Sequence, residues 1–168
     1  MPEVTQKQID LKESQHPEIL VILDYWNDKR GSRFAPAWSD INLMDLPISL
    51  IPHFVVIDVV GKPVDFRYRF WGTWHVKFHG YDQTNKLVSE LEPPPYRELI
   101  SNQYKQTIEM SEPQLFVQQI PVKGDIWAYT ELSRFPLSSD GETVTNVLSV
   151  ELAFGDTSKV SEYFSGHD

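Results

Sequence analysis

His75 and His79 stand four residues apart and would share one face of a helix. That spacing can hold a metal ion. A zinc site needs three or four ligands, and no HExxH motif, third neighbouring histidine or thiolate completes this one. Asp82 or Glu90 could add oxygen, but nothing in the sequence fixes them. The pair is more simply read as two surface or boundary histidines. Three arginines, Arg67, Arg69 and Arg134, lie in strand-like segments beside aromatic residues. An arginine turned into a cavity would grip a carboxylate or phosphate through two parallel hydrogen bonds. Turned outward it would pair with surface acids such as Glu131. The cost of burying an unpaired charge favours the outward reading. Asp58 and Glu151 are carboxylates inside apolar runs. They could oppose each other as an acid–base pair, but solvent-facing strand positions suit them better.

The aromatic residues Trp71, Trp74, Trp127 and Tyr129 could line a pocket or fill a core. Tyr68 and Tyr129 carry hydroxyls that need partners if buried, which marks them as polar pocket residues. The candidate ligand-binding set is Tyr68, Phe70, Trp74, Phe78, Trp127, Tyr129, Arg69 and Arg134. Enzymatic signatures are missing: there is no GxSxG elbow, no phosphate loop and no GxGxxG. Cysteine is absent, so disulfides, thiolate metal sites and cysteine nucleophiles are excluded. Photochemistry through a flavin–cysteinyl adduct is excluded for the same reason.

These residues must be held by recognisable elements. Ile19, Leu20, Ile22, Leu23 and Trp26 recur at helical spacing and predict a helix over 16–30. Its apolar stripe either lids the core or forms a dimer contact. Pro47 and Pro52 punctuate a lead into a hairpin over 53–60 and 65–71, turned at Gly61-Lys62-Pro63. Strict alternation in the second strand puts Phe66, Tyr68 and Phe70 on one face and Arg67, Arg69 and Trp71 on the other. A short helix over 74–80 follows, then a longer one over 96–110 behind a triple proline. Strands over 114–122, 126–137 and 143–154 complete the chain, with turns at Lys123-Gly124-Asp125 and Ser138-Ser139-Asp140-Gly141. Sequential strands joined by tight turns are antiparallel neighbours. The expected fold is α+β, a five-stranded antiparallel sheet with helices packed on one face and an N-terminal flanking helix. Residues 1–14 read as a flexible arm, 15–155 as one domain with its core over 50–155, and 156–168 as a polar tail.

Composition narrows the function. With 40% hydrophobic and 23% charged residues, the chain can bury a core. A net charge of −9 argues against a nucleic-acid partner, which would ask for a basic stripe. No apolar run approaches the roughly 20 residues of a membrane helix, and the N-terminus lacks a signal-peptide core. A soluble cytoplasmic protein is expected.

The order of elements resembles a PAS domain. More narrowly, the chain resembles the proteobacterial family of single-domain PAS proteins of the PAS_5 type. The matching features are Tyr25-Trp26 with Arg30-Gly31, Asp45-Leu46-Pro47 with Leu50-Ile51-Pro52-His53, the strand Phe66-Arg67-Tyr68-Arg69-Phe70, and Gly72-Thr73 followed by Phe78-His79-Gly80-Tyr81-Asp82 and Leu87. The resemblance implies a non-catalytic sensory module that binds a small organic ligand or a protein partner. Haem and flavin stay open as cofactors, although the helix over 96–110, where haem-binding relatives place their histidine, has none. Output would pass through the N-terminal helix, as a homodimer, to a separate signalling protein. The alternatives are a small cavity-bearing isomerase or hydratase and a purely structural interaction domain. A carboxylate or imidazole facing a deep cavity would favour the enzyme.

Overall fold

The computed structural model describes residues 3–122 and 125–165. Its elements are β1 (Thr5–Ile9), α1 (Glu18–Arg30), β2 (Phe54–Val60), β3 (Asp65–Trp71), α2 (Thr73–His79), α3 (Pro94–Met110), β4 (Gln114–Pro121), β5 (Trp127–Leu137), β6 (Asn146–Phe154) and α4 (Ser161–Ser165). The strands form one antiparallel sheet in the order β1-β4-β5-β6-β2-β3. The α+β class is as expected, but the strands number six. The extra strand, β1, lies within the stretch read as an arm. Four of its five residues are exposed, so it shows neither an apolar run nor alternation. Backbone pairing with β4 holds it at the sheet edge. Met1, Pro2, most of the turn at Lys123-Gly124-Asp125 and residues 166–168 fall outside the described residues.

Side chains alternate across a strand, so the sheet divides two cores. Ala128 and Leu132 of β5, Val147 of β6 and Val55 and Ile57 of β2 join Phe78 of α2, Tyr96, Ile100 and Tyr104 of α3 and Phe164 of α4. Phe135, Leu137, Leu148, Val150, Phe54 and Val56 face the other way and meet Ile19, Ile22 and Trp26 of α1. The Trp26 indole N–H donates to the Pro136 carbonyl at 2.8 Å. Ile19, Ile22 and Trp26 of the apolar stripe behind the dimer expectation are therefore covered within their own chain, whereas Leu20 is exposed.

One irregularity reorders the hairpin. Val56 pairs with Phe70 but Ile57 pairs with Tyr68, so Arg69 is an extra residue, a β-bulge. Beyond it the faces exchange. Trp71 joins Tyr68 and Phe66 on the α2–α3 side, whereas Phe70 packs toward α1. The strict alternation expected for this strand breaks at Arg69.

Trp71 leads through Gly72 into α2. The Gly72 N–H donates to the Phe54 carbonyl at 2.9 Å. A Cβ added at Gly72 would sit 2.1 Å from the Pro52 carbonyl oxygen. Only glycine allows β3, β2 and the lead segment to meet here. Gly72→Ala is expected to cost about 3 kcal/mol or more, read from urea unfolding. A wild-type midpoint would show that the close approach is not required.

Candidate functional site

The inner sheet face carries polar side chains among apolar ones. Alternation places Thr130 and Arg134 of β5 beside Ala128 and Leu132, and Ser149 and Glu151 of β6 beside Val147. Helix spacing places His75 and His79 of α2 on one face, and Tyr96, Ile100, Gln103, Tyr104 and Thr107 of α3 on another. All of these are buried. Between sheet and helices lies a cavity of about 20 Å³, whose walls include Tyr68, Trp71, His75, Tyr104, Arg134 and Glu151. That volume holds one or two waters.

Arg134 is 1% exposed. Its Nε and Nη2 donate to Gln103 Oε1 at 3.0 and 2.8 Å, and its Nη1 donates to Ser149 Oγ at 2.9 Å. The guanidinium carbon lies 3.7 Å from the centre of the Tyr104 ring, a cation–π contact. Neutral groups therefore supply its contacts. The outward orientation favoured by charge burial is corrected: α3 and β6 solvate the cation from inside the fold. Glu151, also expected to face solvent, is buried too.

The histidines form a proton-ordered chain. His75 Nε2 lies 2.9 Å from the His53 carbonyl oxygen, so Nε2 carries the proton and Nδ1 is a bare acceptor. That Nδ1 has no hydrogen-bond partner among the described residues and lies 3.7 Å from Glu151 Oε2. His79 Nδ1 donates to the His75 carbonyl at 3.1 Å, and its Nε2 accepts from the Tyr96 hydroxyl at 3.1 Å. Burial pushes the His75 imidazole down to about 3. Burial lifts the Glu151 carboxyl to about 7, against the Thr130 hydroxyl bond and the charge of Arg134, which pull it down. Both shifts favour a neutral pair over an ion pair, with a Glu151 proton facing the free His75 nitrogen. The reading of His75 and His79 as surface or boundary residues is corrected, since both are buried. Among the described residues no group of three or more His, Asp or Glu side chains is placed to hold a metal.

Tyr68 and Arg134 of the candidate set line the cavity. Phe78 is buried in the same core, and Trp74 stacks on it at 4.5 Å and on His53 at 4.8 Å. The other four lie elsewhere. Phe70 faces α1 because of the bulge. Arg69 is exposed and donates to Asp58 at 2.8 Å. Trp127 is half-buried at the start of β5, and Tyr129 is 42% exposed on the outer face, whereas Glu131, expected at the surface, is buried on that face under Ser14 and Gln15. The set did not include Trp71, His75, Tyr96, Tyr104, Ser149 or Glu151. For Glu151 the signal was a carboxylate inside the run Val147–Phe154. For Trp71 the bulge hid it.

The sequence pattern of the PAS domain family PAS_5 matches residues 14–150, most of the chain. The chain belongs to the PAS domain family. PAS domains are typically sensory and ligand-binding. No curated protein sequence matches it. Solved structures of other proteins are similar, three of them as follows. A light-oxygen-voltage domain studied with a flavin analogue shows 16% identity and a TM-score of 0.45, over 68% of this chain and 84% of that one. The light state of the blue-light photoreceptor Aureochrome1 LOV shows 10% identity and a TM-score of 0.45, over 70% and 91%. An RNA-binding light-oxygen-voltage receptor shows 12% identity and a TM-score of 0.48, over 98% of this chain but only 42% of that one. Among the described residues of this PAS domain, no helix is long and apolar enough to cross a membrane.

The Glu151 shift has a measurable consequence. A carboxyl whose folded pKa is raised holds its proton more tightly folded than unfolded. Its stabilisation is full below about 4.5 and is lost as pH rises toward 7. Glu151→Gln keeps the shape, can accept from Thr130 and offers an amide N–H to His75 Nδ1. It should exceed wild type by about 1–3 kcal/mol above pH 7, with the gap closing toward pH 4.5, in urea unfolding across that range. A gap independent of pH would show that Glu151 does not hold this proton.

Proposed function

We propose that this PAS domain is a non-catalytic sensory module whose trigger is a small molecule entering the cavity between the sheet and α2–α3. The supporting observation is a buried void whose walls hold two ring nitrogens, Trp71 Nε1 and His75 Nδ1, without a partner among the described residues. Buried polar atoms are nearly always satisfied, so such a pair in one lining marks a place for a further polar group. At about 20 Å³ the void admits neither haem nor flavin unless its walls move, which favours a small ligand. Output has two routes. Phe164 of α4 packs at 4.3 Å on His79 and 4.9 Å on Tyr96. Gln103, which holds Arg134, also donates to Gln6 of β1.

A screen of small fragments by thermal shift tests this. Hits should raise the melting temperature of wild type and disappear in Ile100→Trp, which fills the void. Hits retained equally in the filled variant would move the site elsewhere, and a screen without hits would remove the ligand role.

An acid–base enzyme is the second reading. It rests on Glu151, a carboxyl lifted to about 7 beside a neutral imidazole, since such a group can hold and release a proton near neutrality. Deuterium uptake into acetone from heavy water separates the two. Uptake above buffer that Glu151→Gln abolishes would support the enzyme, and uptake at the buffer rate supports the sensor.

A further inference from the structure

The cation at the cavity wall identifies the chemistry of the ligand. Arg134 is fully enclosed, yet its hydrogen-bonding oxygens belong to an amide and a hydroxyl. Among the described residues no carboxylate lies within ion-pair distance of it. A buried charge without a counter-charge is costly. Three of the five guanidinium N–H groups have partners here, which leaves two. Trp71, on the same lining, adds an indole N–H that is buried and unpartnered. Three N–H groups on this lining thus lack a partner among the described residues, two of a cation and one of an indole, and all three seek an acceptor.

We propose that this cavity binds a small monocarboxylate of the size of formate or acetate, its oxygens answering Arg134 and the Trp71 indole. The proposal rests on the ligand-cavity reading above and names the ligand class. Size supports it, because room for one or two waters is close to the volume of a carboxylate head. Charge supports it, because one anion balances one guanidinium. A cation would meet like charge at Arg134, and a doubly charged phosphate would bring more charge and more oxygens than this lining answers. The apolar end of acetate has Val55, Ile100 and Leu132 to pack against. Glu151 shares the lining, and in its protonated form it is an acid facing His75 rather than a competing anion. Arg134 would then be a binding residue, and Gln103 and Tyr104 positioning residues that hold its plane.

Titration of the whole chain by 1H–15N NMR tests the assignment. The Trp71 indole signal is assigned by its loss in Trp71→Phe. Sodium formate and sodium acetate should each shift that signal saturably, with sodium chloride as the salt control. Acetamide, the neutral isostere of acetate, should bind about tenfold more weakly or not at all. Arg134→Lys keeps the charge but loses the two-pronged geometry, and should weaken acetate about tenfold. If that variant does not fold, the acetate–acetamide contrast in wild type decides. Acetamide binding as well as acetate would overturn the carboxylate assignment and leave the cavity reading standing. So would fragment hits at the cavity without any response to formate or acetate. Saturable acetate binding that leaves the Trp71 indole unmoved would place the carboxylate elsewhere and overturn the proposal. Silence from both carboxylates and from the fragment screen would remove both readings together.

Discussion

A guanidinium taken out of water must be solvated by the protein, and the inner half of this domain is arranged around that requirement. A guanidinium stays charged in proteins, whereas a buried lysine escapes the cost by losing a proton and a buried carboxylate by gaining one. Its oxygens come from two elements, Gln103 on α3 and Ser149 on β6, and its face lies on Tyr104, also on α3. A hydrogen bond to a charged group is worth about 1.5–3 kcal/mol, so these contacts fix the position of α3 along the sheet. A one-residue slip of α3 would carry Gln103 and Tyr104 away from the cation together. The amide of Gln103 is used at both ends: its oxygen takes the cation while its nitrogen donates to Gln6. The edge strand is thus tied to the charge in the core.

The α2 side depends on proton placement instead of charge. Two histidines give ring N–H groups to backbone carbonyls, one to His53 and one to His75 itself. Those bonds leave Nδ1 of His75 and Nε2 of His79 as acceptors. Tyr96 answers the second. The first faces Glu151, which burial inclines to keep its proton. The low pKa of His75 and the high pKa of Glu151 are one fact seen from two sides, because the same dry surroundings reject both charges. Arg134 is the permanent charge on the lining, while Glu151 can add a second, opposite one as pH rises past about 7. The pair makes the electrostatic character of the void adjustable without any change of shape.

How much of this was legible follows from where the information lies. The α+β class, the order of elements and the α3 helix were readable because apolar periodicity is local. β1 was not, since an edge strand of Thr, Gln, Lys, Gln and Ile is specified by its partner β4 and not by its own pattern. The bulge at Arg69 was not, because a period of two carries no mark where it slips. That single slip exchanged Phe70 and Trp71 between the two cores. Arg134 was misjudged for a different reason. Its register with Ala128, Thr130 and Leu132 pointed inward, but the cost of burial argued outward. The groups that offset part of the cost, Gln103 and Ser149, lie 31 and 15 residues away in sequence. Burial energetics cannot be read at a residue whose solvation shell is assembled from distant segments.

The same shell explains how occupancy of so small a void could be felt outside it. A ligand shifts a conformational balance only through contacts that differ between the two states. An anion placed at Arg134 would draw on the guanidinium, two of whose N–H groups now donate to Gln103 Oε1. Any weakening there would free the Gln103 amide, and its other end is the contact with Gln6 on β1. On the opposite wall, His79 and Tyr96 carry Phe164, so a ligand large enough to displace them would move α4 instead. A one-carbon or two-carbon acid would therefore act through the hydrogen-bonded route to the sheet edge, and a bulkier ligand through the packed route to the last helix. On the proposed reading the two outputs would separate by ligand size, because Gln103 reaches β1 through directed bonds while Phe164 of α4 meets the other wall through ring contacts.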